Sequence, residues 1–161
     1  MSNSTRDQFN DLLRSEGLNA GIIPVSNIPN EESRLNEVNR LGILNRDLDQ
    51  EAQYNALTQL AAIITKSQIG LINILGSNIQ QCKTNFGFNV LESTLTEEMP
   101  REISICQYSL ASPQEPLIIN DLFLDERTKH FKKLEAYENL RFYAGSPLIS
   151  SRGFSIGTLC V

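Results

Sequence analysis

Three cysteines (Cys82, Cys106 and Cys160) and a single histidine (His130) are the side chains whose types suit nucleophilic or metal chemistry. A nucleophile needs a base within hydrogen-bond reach. Cys106 has Ser104 and Tyr108 close by in sequence but no neighbouring histidine, so His130 would meet it only through the fold. The cysteines form no C-x-x-C pair and are odd in number, and one histidine leaves a closed four-ligand zinc site short of ligands. They read as reduced, mostly buried thiols. Carboxylates stand side by side at Glu31/Glu32, Glu97/Glu98 and Asp125/Glu126. Adjacent positions on a helix do not share a face, so these pairs read as surface charge. Gly145, Gly153 and Gly157 match neither the G-x-G-x-x-G nor the P-loop spacing. Glycines in or beside strands more often mark a bend or a close backbone approach. No reaction can be written from these parts, so no catalytic role and no metal is expected.

The charge balance points the same way. The 161 residues carry a net charge of -5, with 40% hydrophobic and 20% charged residues, enough for one domain with a real core. An acidic surface disfavours nucleic acid and anionic membrane, which need clustered Lys and Arg. The densest basic cluster, Arg127, Lys129, Lys132 and Lys133, is diluted by Asp125, Glu126 and Glu135 and reads as a solvated helix face. No run approaches the roughly 18 apolar residues of a membrane span. The first 16 residues carry Arg6, Asp7, Asp11, Arg14 and Glu16 and lack a signal core. A cytoplasmic protein is expected, with no nucleic-acid partner and no membrane insertion.

Residues 1–28 read as a leader or linker that docks on the domain or on a partner. A short helix over Thr5–Ser15 places Phe9, Leu12 and Leu13 along one side, and Gly17, Gly21, Pro24 and Pro29 then punctuate the chain too often for it to continue. The domain proper is expected over residues 29–161. Asn30 is a plausible N-cap, with Glu31 and Glu32 in the first turn, and Leu35, Val38, Leu41 and Leu44 recur at helical spacing. After a break over Asn45–Asp49, a second helix over Gln50–Lys66 places Tyr54, Leu57, Leu60, Ala61 and Ile64 on one stripe, expected to be core.

The period then changes. Ile69–Leu75, the turn Gly76-Ser77-Asn78 and Ile79–Phe88 predict a β-hairpin bearing the polar Asn73 and Gln81. Leu91–Met99 is a loop or short helix, Ser104 caps a helix through Ala111, and Leu117–Asn120 is a small strand. Asp125–Tyr137 is predicted helical, with Phe131, Leu134 and Tyr137 inward. Arg141–Ile149 and Phe154–Val161, joined by Ser150-Ser151-Arg152-Gly153, form a closing antiparallel hairpin. The sum is an α+β fold with one antiparallel sheet and helices on its faces.

Several of these segments resemble the GAF domain family. Pro29-Asn30-Glu31, Arg34-Leu35 and Leu41-Gly42-Ile43-Leu44 resemble its opening helix. Pro100-Arg101-Glu102-Ile103-Ser104-Ile105-Cys106 is similar to its stretch ending Ser-Phe-Cys, with Ile105 in place of Phe. Ile119-Asn120-Asp121 with Asp125-Glu126-Arg127 resembles a further segment. The most specific match is Arg141-Phe142-Tyr143-Ala144-Gly145-Ser146-Pro147-Leu148, followed by Gly153 and Ile156-Gly157-Thr158-Leu159-Cys160-Val161.

This resemblance implies a GAF/PAS-like sheet of five to six antiparallel strands flanked by helices, with a pocket on one sheet face under the segment between the hairpins. It implies a non-catalytic sensory or regulatory module that binds a small molecule, dimerises through helices, and controls an output domain of the same polypeptide, such as a kinase or nucleotide cyclase in a two-component type of system. By position, the pocket candidates are Cys106, Tyr108, Asn120, Asp121, Phe142 and Tyr143. Arg101 and Glu102 are candidates for an ion pair that pins the inserted segment. The cyclic-nucleotide motif of phosphodiesterase GAF domains is matched only superficially around Asn120, Phe123 and Asp125-Glu126. Cys106 is followed by Gln107 rather than histidine, so neither a bilin nor haem is expected, and no cofactor is assigned. Two alternatives remain: a thiol-dependent reductase of the free methionine sulfoxide reductase type, and a ligand-free dimerisation and relay domain. The sequence stops at Val161, on a strand that the family continues into a helix, so a piece of a longer protein is expected, with an apolar helix stripe left to be covered.

Overall fold

The β-hairpin around Gly76-Ser77-Asn78 is the centre of the architecture. The structure is a computed structural model that describes residues 3–46, 52–87, 98–134 and 137–161. Strand β1 (Gly70–Leu75) runs antiparallel to β2 (Ile79–Phe86), with Leu75 opposite Gln80 and a register shift between Ile72 and Asn73. The short β3 (Glu98–Pro100) extends the sheet beyond β2, placing Met99 opposite Gln80. The closing hairpin is β5 (Tyr143–Ile149) with β6 (Ser155–Cys160), and β4 (Leu117–Ile119) pairs on the far edge of β5. Because β6 lies antiparallel to β1, with Leu71 opposite Cys160 and Asn73 opposite Thr158, the two hairpins join into one sheet. Its order is β3-β2-β1-β6-β5-β4, antiparallel throughout, the expected α+β class.

Side chains alternate across a strand, so β1 serves both faces. Its inner set, Leu71, Asn73 and Leu75, looks toward the segment from Ile103 to Leu140, where Leu110, Ile119, Leu122, Phe131, Leu134 and Tyr137 are buried. Its outer set, Gly70, Ile72 and Ile74, looks toward α2 (Glu31–Leu41) and α3 (Ala52–Thr65), where Val38, Ile74 and Ile156 form a second, smaller cluster.

The leader belongs to the inner layer. Helix α1 (Asn3–Ala20) is longer than the predicted Thr5–Ser15, because it continues through Gly17, against which Ile103 packs. Ile22 then enters the inner core, and Arg14 pairs with Glu102 at 3.1 Å. The other partner of the expected pinning pair, Arg101, reaches Glu31 at 2.5 Å instead. Glu31 also holds the fully buried Arg34 at 2.6 Å, and both guanidiniums donate to the carbonyl of Gly76. Helix α2 is thus clamped onto the β1–β2 turn. Burial raises the Glu31 carboxyl, and the hydrogen bonds from Arg34 and Arg101 outweigh it, leaving its pKa below the usual value.

Five expectations are corrected. Asn30 occupies the N-cap position of α2 but in a left-handed conformation, with no side-chain cap hydrogen bond. The predicted helix to Leu44 stops at Leu41 and continues as a 3₁₀ turn over Ile43–Asn45. The Asp125–Tyr137 helix is absent among the described residues, which form turns and a 3₁₀ segment at Phe131–Lys133 that still turn Phe131, Leu134 and Tyr137 inward. Of the predicted loop or helix over Leu91–Met99, Glu98 and Met99 are strand, and 91–97 lie outside the described residues, as do 47–49 of the predicted break.

The fifth correction concerns α3. Its predicted core residues Leu57, Leu60 and Ile64 are 47%, 51% and 69% exposed, while Thr58 and Ala62 face the sheet. Gly70 explains this: a Cβ there would strike the Thr58 carbonyl oxygen and meet Ala62 Cβ at 3.5 Å. Helix and strand approach through their smallest residues, and the larger apolar ones are left on the outside.

Candidate functional site

The site forms where the first turn of α4 (Gln107–Ala111) meets the inner face of β6. Ser104 Oγ accepts the Gln107 N–H at 3.2 Å, the cap expected of Ser104, and this fixes Cys106 at the head of the helix. Cys106 Sγ accepts hydrogen bonds from Tyr143 Oη at 3.3 Å and from Asn73 Nδ2 at 3.4 Å. The same Asn73 amide reaches Cys160 Sγ at 3.5 Å, so the two thiols share one donor. Tyr143 reaches this far because Gly145, two residues on along β5, has no side chain: a Cβ there would strike the Tyr143 ring and hydroxyl.

These groups are walls of a cavity of about 580 Å³. Leu71, Ile105, Leu122 and Tyr137 supply much of its apolar lining, and Gln80 and Met99 close the β2–β3 side. Asn73 and Gln80 are buried, and each spends its amide N–H on sulfur, Gln80 on Met99 Sδ at 3.6 Å. Their carbonyl oxygens, Asn73 Oδ1 and Gln80 Oε1, have no partner among the described residues. Two buried acceptors without donors are unfavourable unless something else supplies the hydrogen. The rim carries the exposed Lys66, Asn139, Arg141 and Phe142.

The protonation states follow from these contacts. The hydrogen bond from Cys160 comes first in drawing the Cys106 thiol below its ordinary value; burial works against it, and Thr158, Tyr143 and Asn73 add to the lowering. Cys160, which gives that hydrogen bond, is pushed up, as burial also requires. Burial pushes Tyr143 well up and keeps it a donor. Cys106 is thus the acceptor at the centre of a ring of donors.

Three of the six sequence candidates, Cys106, Phe142 and Tyr143, line this cavity. Tyr108 does not: its hydroxyl donates to the Ile23 carbonyl at 3.1 Å and its ring meets Phe131 edge-on at 6.4 Å, so it ties the leader to the core. Asn120 is exposed just beyond β4. Asp121 accepts the Phe123 N–H at 2.9 Å and pairs with Arg141, whose guanidinium lies 4.8 Å over the Phe123 ring. It therefore positions a rim residue without lining the cavity. His130 lies against Gly21, and no histidine is among the described hydrogen-bond partners of Cys106. Sequence reasoning missed Gln80, Cys160 and Arg141 as lining residues and noted Asn73 only as a polar residue of the hairpin. The signal for Asn73 was its place between Ile72 and Ile74, where an apolar residue would suit a central strand. Among the described residues no cluster of three or more His, Cys, Asp or Glu could hold a metal ion, and no helix is long and apolar enough to cross a membrane.

No family model matches the chain. It is 28% identical over 131 residues to a cyclic di-GMP phosphodiesterase of Pseudomonas aeruginosa, a match covering 81% of this chain and 21% of the relative, so it spans about a fifth of that protein's length. Among solved structures it is similar to the GAF domain region of a Geobacter sulfurreducens protein (TM-score 0.53, 17% identity, covering 74% of this chain and 78% of that one). It is also similar to a far-red cyanobacteriochrome photoreceptor (0.53, 16%, covering 80% of each chain). A third similar structure is a type II free methionine-R-sulfoxide reductase from Thermoplasma acidophilum (0.52, 14%, covering 68% and 70%). The sheet order, the flanking helices and these likenesses define the fold: it is that of a GAF domain.

Proposed function

We propose that this chain is a sensory and regulatory module that binds a small molecule in the inner-face cavity and passes the occupancy on to an output domain of the same polypeptide. The observation that carries this reading is the cavity of about 580 Å³, lined by Asn73 and Gln80, whose buried carbonyl oxygens have no partner among the described residues. A ligand with N–H or O–H donors and an apolar body suits such a lining. The similarity to a fifth of a cyclic di-GMP phosphodiesterase supports an arrangement in which the module is one part of a larger signalling enzyme. The exposed apolar residues of α3 support association of two copies through helices, the arrangement by which such a module biases its output.

The test is thermal unfolding against a panel of small metabolites. A ligand at a hundred times its Kd stabilises by about 2.7 kcal/mol, a rise in Tm of roughly 5–10 °C for a domain of this size. The rise is expected to vanish in Leu71→Trp, whose indole takes up cavity space beside Asn73. A panel without any rise, or a rise that survives this substitution, contradicts the proposal.

A second reading, thiol-dependent reduction of free methionine sulfoxide, is favoured by one observation. It requires two cysteines meeting in the pocket, and Cys106 and Cys160 do. Turnover of free methionine-R-sulfoxide with a dithiol reductant, lost in Cys106→Ser, is the outcome it requires.

A further inference from the structure

The pair of sulfurs on the cavity wall has chemistry that the sensory reading does not use. Cys106 and Cys160 stand on different elements, α4 and β6, yet share the Asn73 amide at 3.4 and 3.5 Å. Tyr143 Oη approaches Cys106 alone, at 3.3 Å. The buried Thr158 hydroxyl has no hydrogen-bond partner among the described residues. Amide and phenol donors gathered around one sulfur stabilise its anion, and the thiolate is the nucleophilic form. The third cysteine is placed otherwise: Cys82 lies on β2 and its Sγ donates to the Thr84 carbonyl at 3.4 Å. Both paired sulfurs belong to residues that line the cavity, so an oxidant no larger than a few atoms can meet them from inside it.

We infer that Cys106 and Cys160 form a peroxide-oxidisable dithiol, with Cys106 as the nucleophile and Cys160 as the resolving thiol. The Cys106 thiolate attacks one oxygen of hydrogen peroxide, so that an S–O bond forms, the O–O bond breaks and hydroxide leaves. That hydroxide takes up the proton Cys106 released on ionising. Cys160 sulfur then attacks the sulfenic acid: the S–S bond forms, the S–O bond breaks, and the second hydroxide departs with the Cys160 proton as water. Two thiols and one peroxide become one disulfide and two waters, the thiols supplying both electrons. The product joins the head of α4 to β6 and removes the sulfur acceptor that Tyr143 and Asn73 share. The cavity wall therefore has two covalent states, whichever small molecule the cavity holds.

The experiment treats the intact chain with hydrogen peroxide and follows it by intact-mass and non-reduced peptide mass spectrometry. Expected are the loss of two hydrogens, a Cys106–Cys160 linked peptide, and reversal by dithiothreitol. Cys160→Ser should stop at a Cys106 sulfenic acid trapped by dimedone, and Cys106→Ser should leave Cys160 unmodified. Tyr143→Phe removes one donor to the thiolate and should slow oxidation roughly tenfold. A linkage that includes Cys82, or Cys82 oxidising first, overturns the proposal, as does a wild-type chain that keeps both thiols under peroxide. The wild-type peptide map decides even where a variant does not fold.

Discussion

The inner face of the sheet is covered by side chains of every size, from Cys106 and Cys160 to Phe131 and Tyr137, whereas the outer face meets α2 and α3 mainly through Val38, Thr58 and Ala62. The inner layer is thick yet holds a cavity of about 580 Å³, open at an exposed rim and lined in part by polar groups. The outer layer is thin and tightly approached, and it leaves Leu57, Leu60, Ile63 and Ile64 facing outward. Void volume and unsatisfied acceptors are places for a ligand, while exposed apolar surface is a place for another chain. In the proposed function, one sheet separates a sensing side from an assembly side.

Substitutions that act on one side and spare the other test this division. The largest effect is expected on the inner face. Phe131 is fully buried and packs edge-on to Tyr137 at 4.8 Å, so Phe131→Ala should lower stability by about 3–5 kcal/mol in denaturant unfolding. A loss below about 1 kcal/mol would mean that the inner core is looser than described. Next comes Gly145→Val, whose side chain must displace the Tyr143 ring: about 1–3 kcal/mol is expected, with loss of ligand response, and a variant that binds normally would separate Tyr143 from the site.

The outer face has its own electrostatic signature. Glu37 on α2 is buried, and its pKa is held down to about 2, first by Arg40, with Arg152 of the β5–β6 turn adding to it. A carboxyl depressed on folding contributes stability in full above its unfolded value, here 4.5, and loses it as pH falls toward 2. Acid unfolding followed by circular dichroism should therefore steepen between about pH 4.5 and 2, and Glu37→Gln should flatten that segment. An unchanged acid limb would place the acid sensitivity elsewhere. The smallest stability effect is expected at the α3 surface. Leu60→Gln and Ile64→Gln should change monomer stability by no more than about 0.5 kcal/mol, while lowering the apparent mass in light scattering at high concentration. Unchanged association in both variants would break the assignment of the outer face.

The sequence made the architecture legible where period and punctuation agree. The hairpin around Gly76-Ser77-Asn78 and the pair joined by Ser150–Gly153 alternate at period two between turn residues, and both form where expected. The α3 stripe was misread because helical periodicity marks an apolar face without saying what it meets. The large Leu57, Leu60 and Ile64 drew attention, but only the small Thr58 and Ala62 fit against Gly70. The site was half legible for a similar reason. Cys106 and Tyr143 stand in segments with strong local patterns, whereas Cys160 and Gln80 reach the cavity only through strand pairing across the sheet, at Leu71–Cys160 and Leu75–Gln80. Tyr108 and Asp121 lie off the cavity wall because a polar residue near a pocket can serve the loops instead: one ties down Ile23, the other Phe123 and Arg141.

The division of labour between the faces is tested most directly by native mass spectrometry of the intact chain over a range of concentrations, with Leu60→Gln alongside. The account predicts a non-covalent small molecule retained by both proteins and a dimer formed by the wild type alone. A bare monomer at every concentration, or loss of the small molecule in the α3 variant, would contradict it.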